Sequence, residues 1–152
     1  MVFEHTGNMF QMAPMGALVG IPVNTVGVAG KGLALHMKQR YPEAHEQYKQ
    51  ACRRGRIAGG ELLVVDVIAY KLAMLPTKYN WVNPSEPGLI DQTLYRLVEY
   101  MRANGIEEAH IPRLGCGVAT GMLDYEEDVS PIIQFHFGSD EQKEAIHVYN
   151  FV

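Results

Sequence analysis

The sequence predicts an α/β domain, a three-layer α/β/α sandwich around a mixed central sheet, and three observations carry that expectation. Short apolar runs rich in Val, Ile and Leu alternate along the chain with longer segments of helical periodicity. Pro and Gly fall singly between these segments, as they do in connecting loops, with no internal repeat and no low-complexity tract. The length of 152 residues fits one domain whose core needs no disulfide or metal to hold it, so the span 1–152 is read as a single unit.

Each element has its own signal. Residues 2–6 read as a strand ending at Gly7, and 17–23 as an apolar strand ending at Asn24. From Gly32, the residues Leu33, Leu35, His36, Met37 and Tyr41 begin a helix; Pro42 interrupts it and 43–53 resumes it as far as Gly55. Segments 61–68 and 71–75 read as two strands joined near Ala69 and Tyr70, with Pro76 expected to stop the second. Ser85 is expected to cap a helix that has Pro87 in its first turn. Leu89, Ile90, Leu94, Leu97, Val98 and Met101 form its apolar stripe, and Asn104-Gly105 ends it. Residues 109–111 supply another strand. Asp124 and Glu127 have the D-x-x-E spacing of a capped helix running towards Phe137, kinked or restarted at Pro131, and 146–152 closes the sheet.

Composition narrows the function. An apolar share of 47% with 20% charged residues is ordinary for a globular protein. No apolar run approaches the roughly 18 residues of a membrane span, and the first residues lack the basic-then-apolar order of a secretion signal. A cytoplasmic protein with no membrane partner, and a monomer, is expected. The formal charge of -4 argues against a protein that coats nucleic acid by neutralising phosphates. It leaves room for an anionic small ligand, because amides at helix starts bind anions without net positive charge. Cys52 and Cys116 form no CxxC, and the six histidines give no H-x-x-x-H pair, so neither a disulfide, a metal site nor a cofactor is expected.

Two glycine loops carry the candidate chemistry. The first, Asn24-Thr25-Val26-Gly27-Val28-Ala29-Gly30-Lys31-Gly32, lies between a strand and a helix, and its glycines let backbone amides approach a phosphate or ribose closely. It is not a P-loop, since Gly32 follows the lysine where Ser or Thr is needed. The second, Leu114-Gly115-Cys116-Gly117-Val118-Ala119-Thr120-Gly121, has the same setting. Either alone also fits a neutral connecting turn; together they form a cradle for one diphosphate.

Lys78, in Pro76-Thr77-Lys78 at a strand end, is either a solvated lysine or, in a dry crevice, an amine that loses protons easily enough to act as a nucleophile. Trp81 either walls the site or packs. Cys116 has no fixed histidine partner and reads as a structural or ligand-touching thiol. Arg53, Arg54 and Arg56 make a basic spot, a solvated helix end or a device for steering an anionic substrate.

Four strings in order, Thr6-Gly7-Asn8-Met9, V-N-T-V-G-V-x-G-K-G-L-A from Val23, Leu75-Pro76-Thr77-Lys78, and Ile111-Pro112-Arg113-Leu114-Gly115-Cys116-Gly117, resemble those of macro domains over almost the whole chain. More narrowly the chain resembles the branch that contains the DNA ADP-ribosyl glycohydrolase antitoxins and the terminal ADP-ribose protein glycohydrolase. The resemblance implies ADP-ribose across the crest of the sheet, with adenine near Asn8 and Met9. It implies diphosphate at Leu114, Gly115, Cys116, Gly117, Val118, Ala119, Thr120 and Gly121. The distal ribose would lie under Asn24, Val26, Gly27, Val28, Gly30, Lys31, Gly32 and Leu33, with Thr77 beside it.

In that branch a lysine matching Lys78 attacks the anomeric carbon, releasing a DNA base or a protein carboxylate, so ADP-ribosylated DNA or protein is the implied substrate. The resemblance also leaves two alternatives, a phosphatase acting on ADP-ribose 1''-phosphate and a module that binds ADP-ribose without turning it over. Two departures bear on these readings. Asn8 stands where macro domains often carry an aspartate, and residues 118–123 separate the G-C-G segment from Asp124, the acidic residue nearest the branch's catalytic aspartate.

Overall fold

The computed structural model describes residues 1–117 and 122–151. In chain order the elements are β1 (Val2–Thr6), α1 (Met9–Met12), β2 (Leu18–Asn24), α2 (Gly32–Arg40), α3 (Pro42–Arg53), β3 (Leu63–Asp66) and β4 (Lys71–Lys78). There follow α4 (Pro87–Asn104), β5 (Glu108–Pro112), a π-helical turn (Tyr125–Val129) running into α5 (Ser130–Phe137), and β6 (Ala145–Asn150). The strands make one sheet in the order β1-β6-β5-β2-β4-β3. Only β3 runs antiparallel to its neighbour, so the sheet is mixed, as the alternation of strands and helices requires.

Apolar side chains project to both faces, which is why helices cover both. On one face Leu75, Ile111 and Val148 pack with the α4 stripe and with Ile133 and Phe137 of α5; all six residues of that stripe are buried. On the other, Val19, Ile21, Val23, Leu72 and Met74 pack with Met9 of α1, Met37 of α2 and Ala44 and Tyr48 of α3. Burying a side chain of this size contributes about 1.5–3 kcal/mol. β2 runs through the middle, and Gly20 is required there: a Cβ would lie 2.3 Å from Leu75 Cδ1 and 2.9 Å from Ile111 Cγ2.

Four expectations are corrected. Pro76 does not stop its strand; β4 continues to Lys78, because β3 accompanies it only along Lys71–Met74 and a proline beyond that point faces no ladder on the β3 side. The preceding strand is shorter than 61–68: only Leu63–Asp66 pair, and Ile68 is almost wholly exposed. Ser85 is not the cap of α4. Glu86 holds that position without a side-chain bond, while Ser85 is drawn inward with its Oγ 3.5 Å from Thr77 Oγ1. The last strand is Ala145–Asn150, not 146–152, and residue 152 lies outside the described residues. The helix after Asp124 does begin at a cap, with Asp124 Oδ2 accepting from Glu127 N at 2.8 Å. The reciprocal bond comes from Asp128, whose Oδ2 accepts from Asp124 N at 2.8 Å.

Candidate functional site

Five parallel strands bring their carboxyl ends to one edge of the sheet, where ligand crevices form in such folds. The two glycine loops leave that edge from the neighbouring strands β2 and β5, and Lys78 ends β4 on the other side of β2. Asn24 and Lys78 are Cα partners across the β2–β4 ladder, at a register shift that follows Val23.

Asn24 organises the first loop. Its buried Oδ1 accepts from the N–H groups of Val26 (3.1 Å), Gly27 (3.0 Å) and Val28 (3.3 Å), and its Nδ2 donates to Val28 O at 2.7 Å. Tyr48, fully buried on α3, donates its hydroxyl to Asn24 O (2.8 Å) and lies 2.9 Å from Oδ1. Three amides that sequence reasoning aims at a ligand are thus turned onto a side chain. Val26 and Val28 present exposed side chains, whereas Gly27, at φ +89°, backs onto Lys49 and Cys52.

The donors left to an anion lie further on. Lys31 precedes α2 without offering a side-chain cap, and no described residue accepts from the N–H groups of Gly32 and Leu33. A helix start of this kind carries uncompensated positive dipole. Gly30 meets nothing within 4 Å of where a Cβ would sit, so this rim is open.

The root of the second loop is linked through Ser85 to Thr77, the neighbour of Lys78. Gly115, at φ +75°, brings its backbone so close to Ser85, Ile90 and Leu123 that a Cβ would meet them at 2.9–3.0 Å. Leu114 is fully buried beneath it, and Leu123 N donates to Gly115 O at 3.1 Å. Ser85 in turn faces buried Thr77, the neighbour of Lys78. Gly117 is exposed; Val118, Ala119, Thr120 and Gly121 lie outside the described residues.

Electrostatics distinguish the candidate nucleophiles. Burial holds the Lys78 amine below the usual lysine range, and the charge of Lys31 lowers it further. Burial pushes the Cys116 thiol up to about 11, away from thiolate chemistry, and its Sγ rests 3.4 Å from Leu114 O. Asp124 is exposed, with a carboxylate oxygen committed to its helix cap. At the far end of the crest, Asn8 caps α1, its Oδ1 accepting from Phe10 N at 2.9 Å, and Met9 is fully buried, so its side chain shapes the crest only from beneath. Trp81 is half exposed in the turn after β4.

Two contributors gave no readable signal in the sequence. Thr25 ties the first loop to the end of β4, its N and Oγ1 both donating to Tyr79 O at 3.2 and 2.8 Å. Tyr48 reaches Asn24 from a helix 24 residues away, a contact that no local pattern announces.

A mixed sheet with loops gathered at the ends of its parallel strands defines an α/β ligand-binding domain. The chain belongs to the macro-domain family: the Macro domain family model matches residues 22–146. It is similar to the DNA ADP-ribosyl glycohydrolase of Mycobacterium tuberculosis (strain ATCC 25618 / H37Rv), at 40% identity over 109 residues, 69% of this chain and 30% of that protein. The chain spans less than a third of the length of such curated relatives. Among solved structures, the macrodomain of Mycobacterium tuberculosis DarG superposes with a TM-score of 0.83 at 36% identity, covering 98% of this chain and 97% of that one. Thermosipho africanus DarTG in complex with ADP-ribose superposes with a TM-score of 0.79 at 27% identity, covering 97% of this chain and 42% of that one.

Proposed function

We propose that this domain binds ADP-ribose along the strand ends and hydrolyses the bond between ADP-ribose and a DNA base, with Lys78 as nucleophile. The observation that carries the reading is the position of Lys78: a half-buried amine of lowered pKa, paired with Asn24 at the root of the first glycine loop, with the root of the second on the far side of β2. The names of the relatives supply the substrate class, and the ADP-ribose complex of a relative supplies the ligand.

In the proposed step the neutral Nζ attacks the anomeric carbon of the distal ribose. The bond from that carbon to the base breaks, its electron pair leaves with the base, and the base takes up the proton that the amine loses. Water then adds at the same carbon, freeing the amine and giving ADP-ribose. The diphosphate is placed between the amides opening α2 and the loop after Leu114, where dipoles favour a dianion.

The test uses single-stranded DNA carrying ADP-ribose on a base. The protein should release free ADP-ribose, and Lys78→Ala should stop release while calorimetric binding of ADP-ribose persists. No release by the unaltered protein overturns the catalytic reading. Binding without release would favour the non-catalytic module, for which the commitment of Asp124 to its cap already argues. Phosphate release from ADP-ribose 1''-phosphate, measured alongside, would favour the phosphatase.

A further inference from the structure

The chain is acidic overall, yet its charge is unevenly placed. Seven of its thirteen Lys and Arg residues, but only two of its seventeen Asp and Glu, fall between residues 31 and 56, where α2 and α3 lie. Elsewhere fifteen acids face six bases. Of the seven cations, Lys31, Lys38, Arg40, Arg53 and Arg54 are exposed with no acidic partner among the described residues; Lys49 pairs with Glu46 at 3.3 Å and Arg56 with Glu61 at 2.6 Å. This face adjoins the candidate site. A concavity of about 390 Å³ lies on the outer side of the first glycine loop, walled by Gly27, Gly30, Lys38, His45 and Lys49 among others.

We propose that the α2–α3 face is the track for a single DNA strand, whose backbone phosphates lie against Lys38, Lys49 and the glycine rim while the modified base enters the strand-end crevice. The proposal rests on the DNA glycohydrolase reading and adds to it where the carrier lies. An ADP-ribosyl group is itself small; what the active-site loops cannot hold is the polymer attached to it, and a strand of regular negative charge is drawn to a face of opposite sign. In the wall of the concavity the pKa of His45 is lowered, first by burial and then by the charges of Lys38 and Lys49. Outside residues 31–56 acids outnumber bases fifteen to six, so net charge and local charge together favour this path. The overall charge argues against generic coating of nucleic acid, not against a short, directed contact.

The test measures binding of a fluorescently labelled, unmodified single-stranded DNA of about 12 nucleotides, a length within single-strand site sizes, by anisotropy across salt. Binding should weaken as salt rises. Lys38→Glu, at an exposed position, should reduce affinity and shrink the slope of log K against log salt by about 0.7, the value of one single-strand phosphate contact. Lys143→Glu makes the same change in net charge at an exposed site outside the basic face and should leave both unchanged. Equal effects of the two variants, a salt-independent signal, or no binding by the unaltered protein each overturn the proposal. So does turnover of an ADP-ribosylated acidic peptide that depends on Lys38 when DNA binding does not, since the face would then serve a protein. Because the probe carries no ADP-ribose, failure of catalysis and failure of the track are read separately, and ADP-ribose calorimetry on Lys38→Glu should match the unaltered protein.

Discussion

Lys78 and Lys31 are two cations at one crevice, and the second makes the first harder to protonate. Burial is the larger cause of the lowered Lys78 pKa and Lys31 the smaller. In the proposed step a neutral amine attacks, so turnover should rise with pH through a midpoint below the ordinary 10.5 and level off above it. Removing a neighbouring positive charge lets an ammonium keep its proton to higher pH. Lys31→Gln should therefore move the midpoint upward and lower turnover at neutral pH, whereas Lys31→Arg should leave the midpoint in place. A pH profile that is the same in all three proteins would show that the two charges are not functionally coupled. Cys116 behaves oppositely: with its thiol pushed up to about 11 it stays protonated at neutral pH, so Cys116→Ser should retain turnover. Loss of covalent chemistry in that variant would move the nucleophile from the lysine to the thiol.

At the scale of elements, the roots of the two loops are held by different physics. The first depends on a side chain, and Asn24→Ala would strip three N–H groups of their common acceptor while the Tyr48 hydroxyl keeps Asn24 O. With each buried orphan costing about 1–3 kcal/mol less any solvation regained, a net loss of about 2 kcal/mol is expected, read in denaturant unfolding. The second depends on a missing side chain. Gly115→Ala meets three contacts at 2.9–3.0 Å in a left-handed conformation and should cost about 1–3 kcal/mol. An unchanged unfolding midpoint in either variant would mean the loop root is softer than its geometry implies. The same contrast explains what the sequence disclosed. The α4 stripe and the paired glycine loops were legible because periodicity and glycine spacing are local. The strand through Pro76 was hidden because its tolerance depends on where β3 stops pairing, and Ser85 misled because Thr77 and Gly115 pull it inward. Asn24 stood out as a candidate ligand contact, but its structural task is set by a tyrosine on a distant helix.

Across the molecule, the half of the sheet formed by β5, β6 and β1 carries a run of aromatic rings. His110 stacks on His147 at 4.6 Å, His147 on Phe3 at 5.0 Å, and His5 on Tyr149 at 4.8 Å. Hydrogen bonds cross the same strands: His147 Nε2 donates to Glu108 Oε1 at 2.7 Å, and His5 Nε2 lies 2.8 Å from His147 Nδ1. This matters because β1 is an edge strand that pairs with β6 alone. His110 is the buried member, 5% exposed, with Nδ1 2.8 Å from the Tyr149 hydroxyl. Burial first, and then the neighbouring His147, lowers its pKa from 6.5 to about 4. In the unfolded chain the ordinary value returns, so between those limits the unfolded state binds more protons and stability falls as pH falls. The stabilisation is complete above the unfolded pKa and is lost progressively down to the folded one. Between pH 7 and pH 5 this linkage is worth about 2 kcal/mol, or roughly 4–8 °C in melting temperature for a domain of this size. His110→Asn removes the titration and leaves an amide near the Nδ1 position to meet the Tyr149 hydroxyl. It should melt lower than the unaltered protein at pH 7, and the gap should narrow by that amount at pH 5. Melting curves that shift in parallel over this range would place the acid sensitivity of the fold outside the His110 pocket.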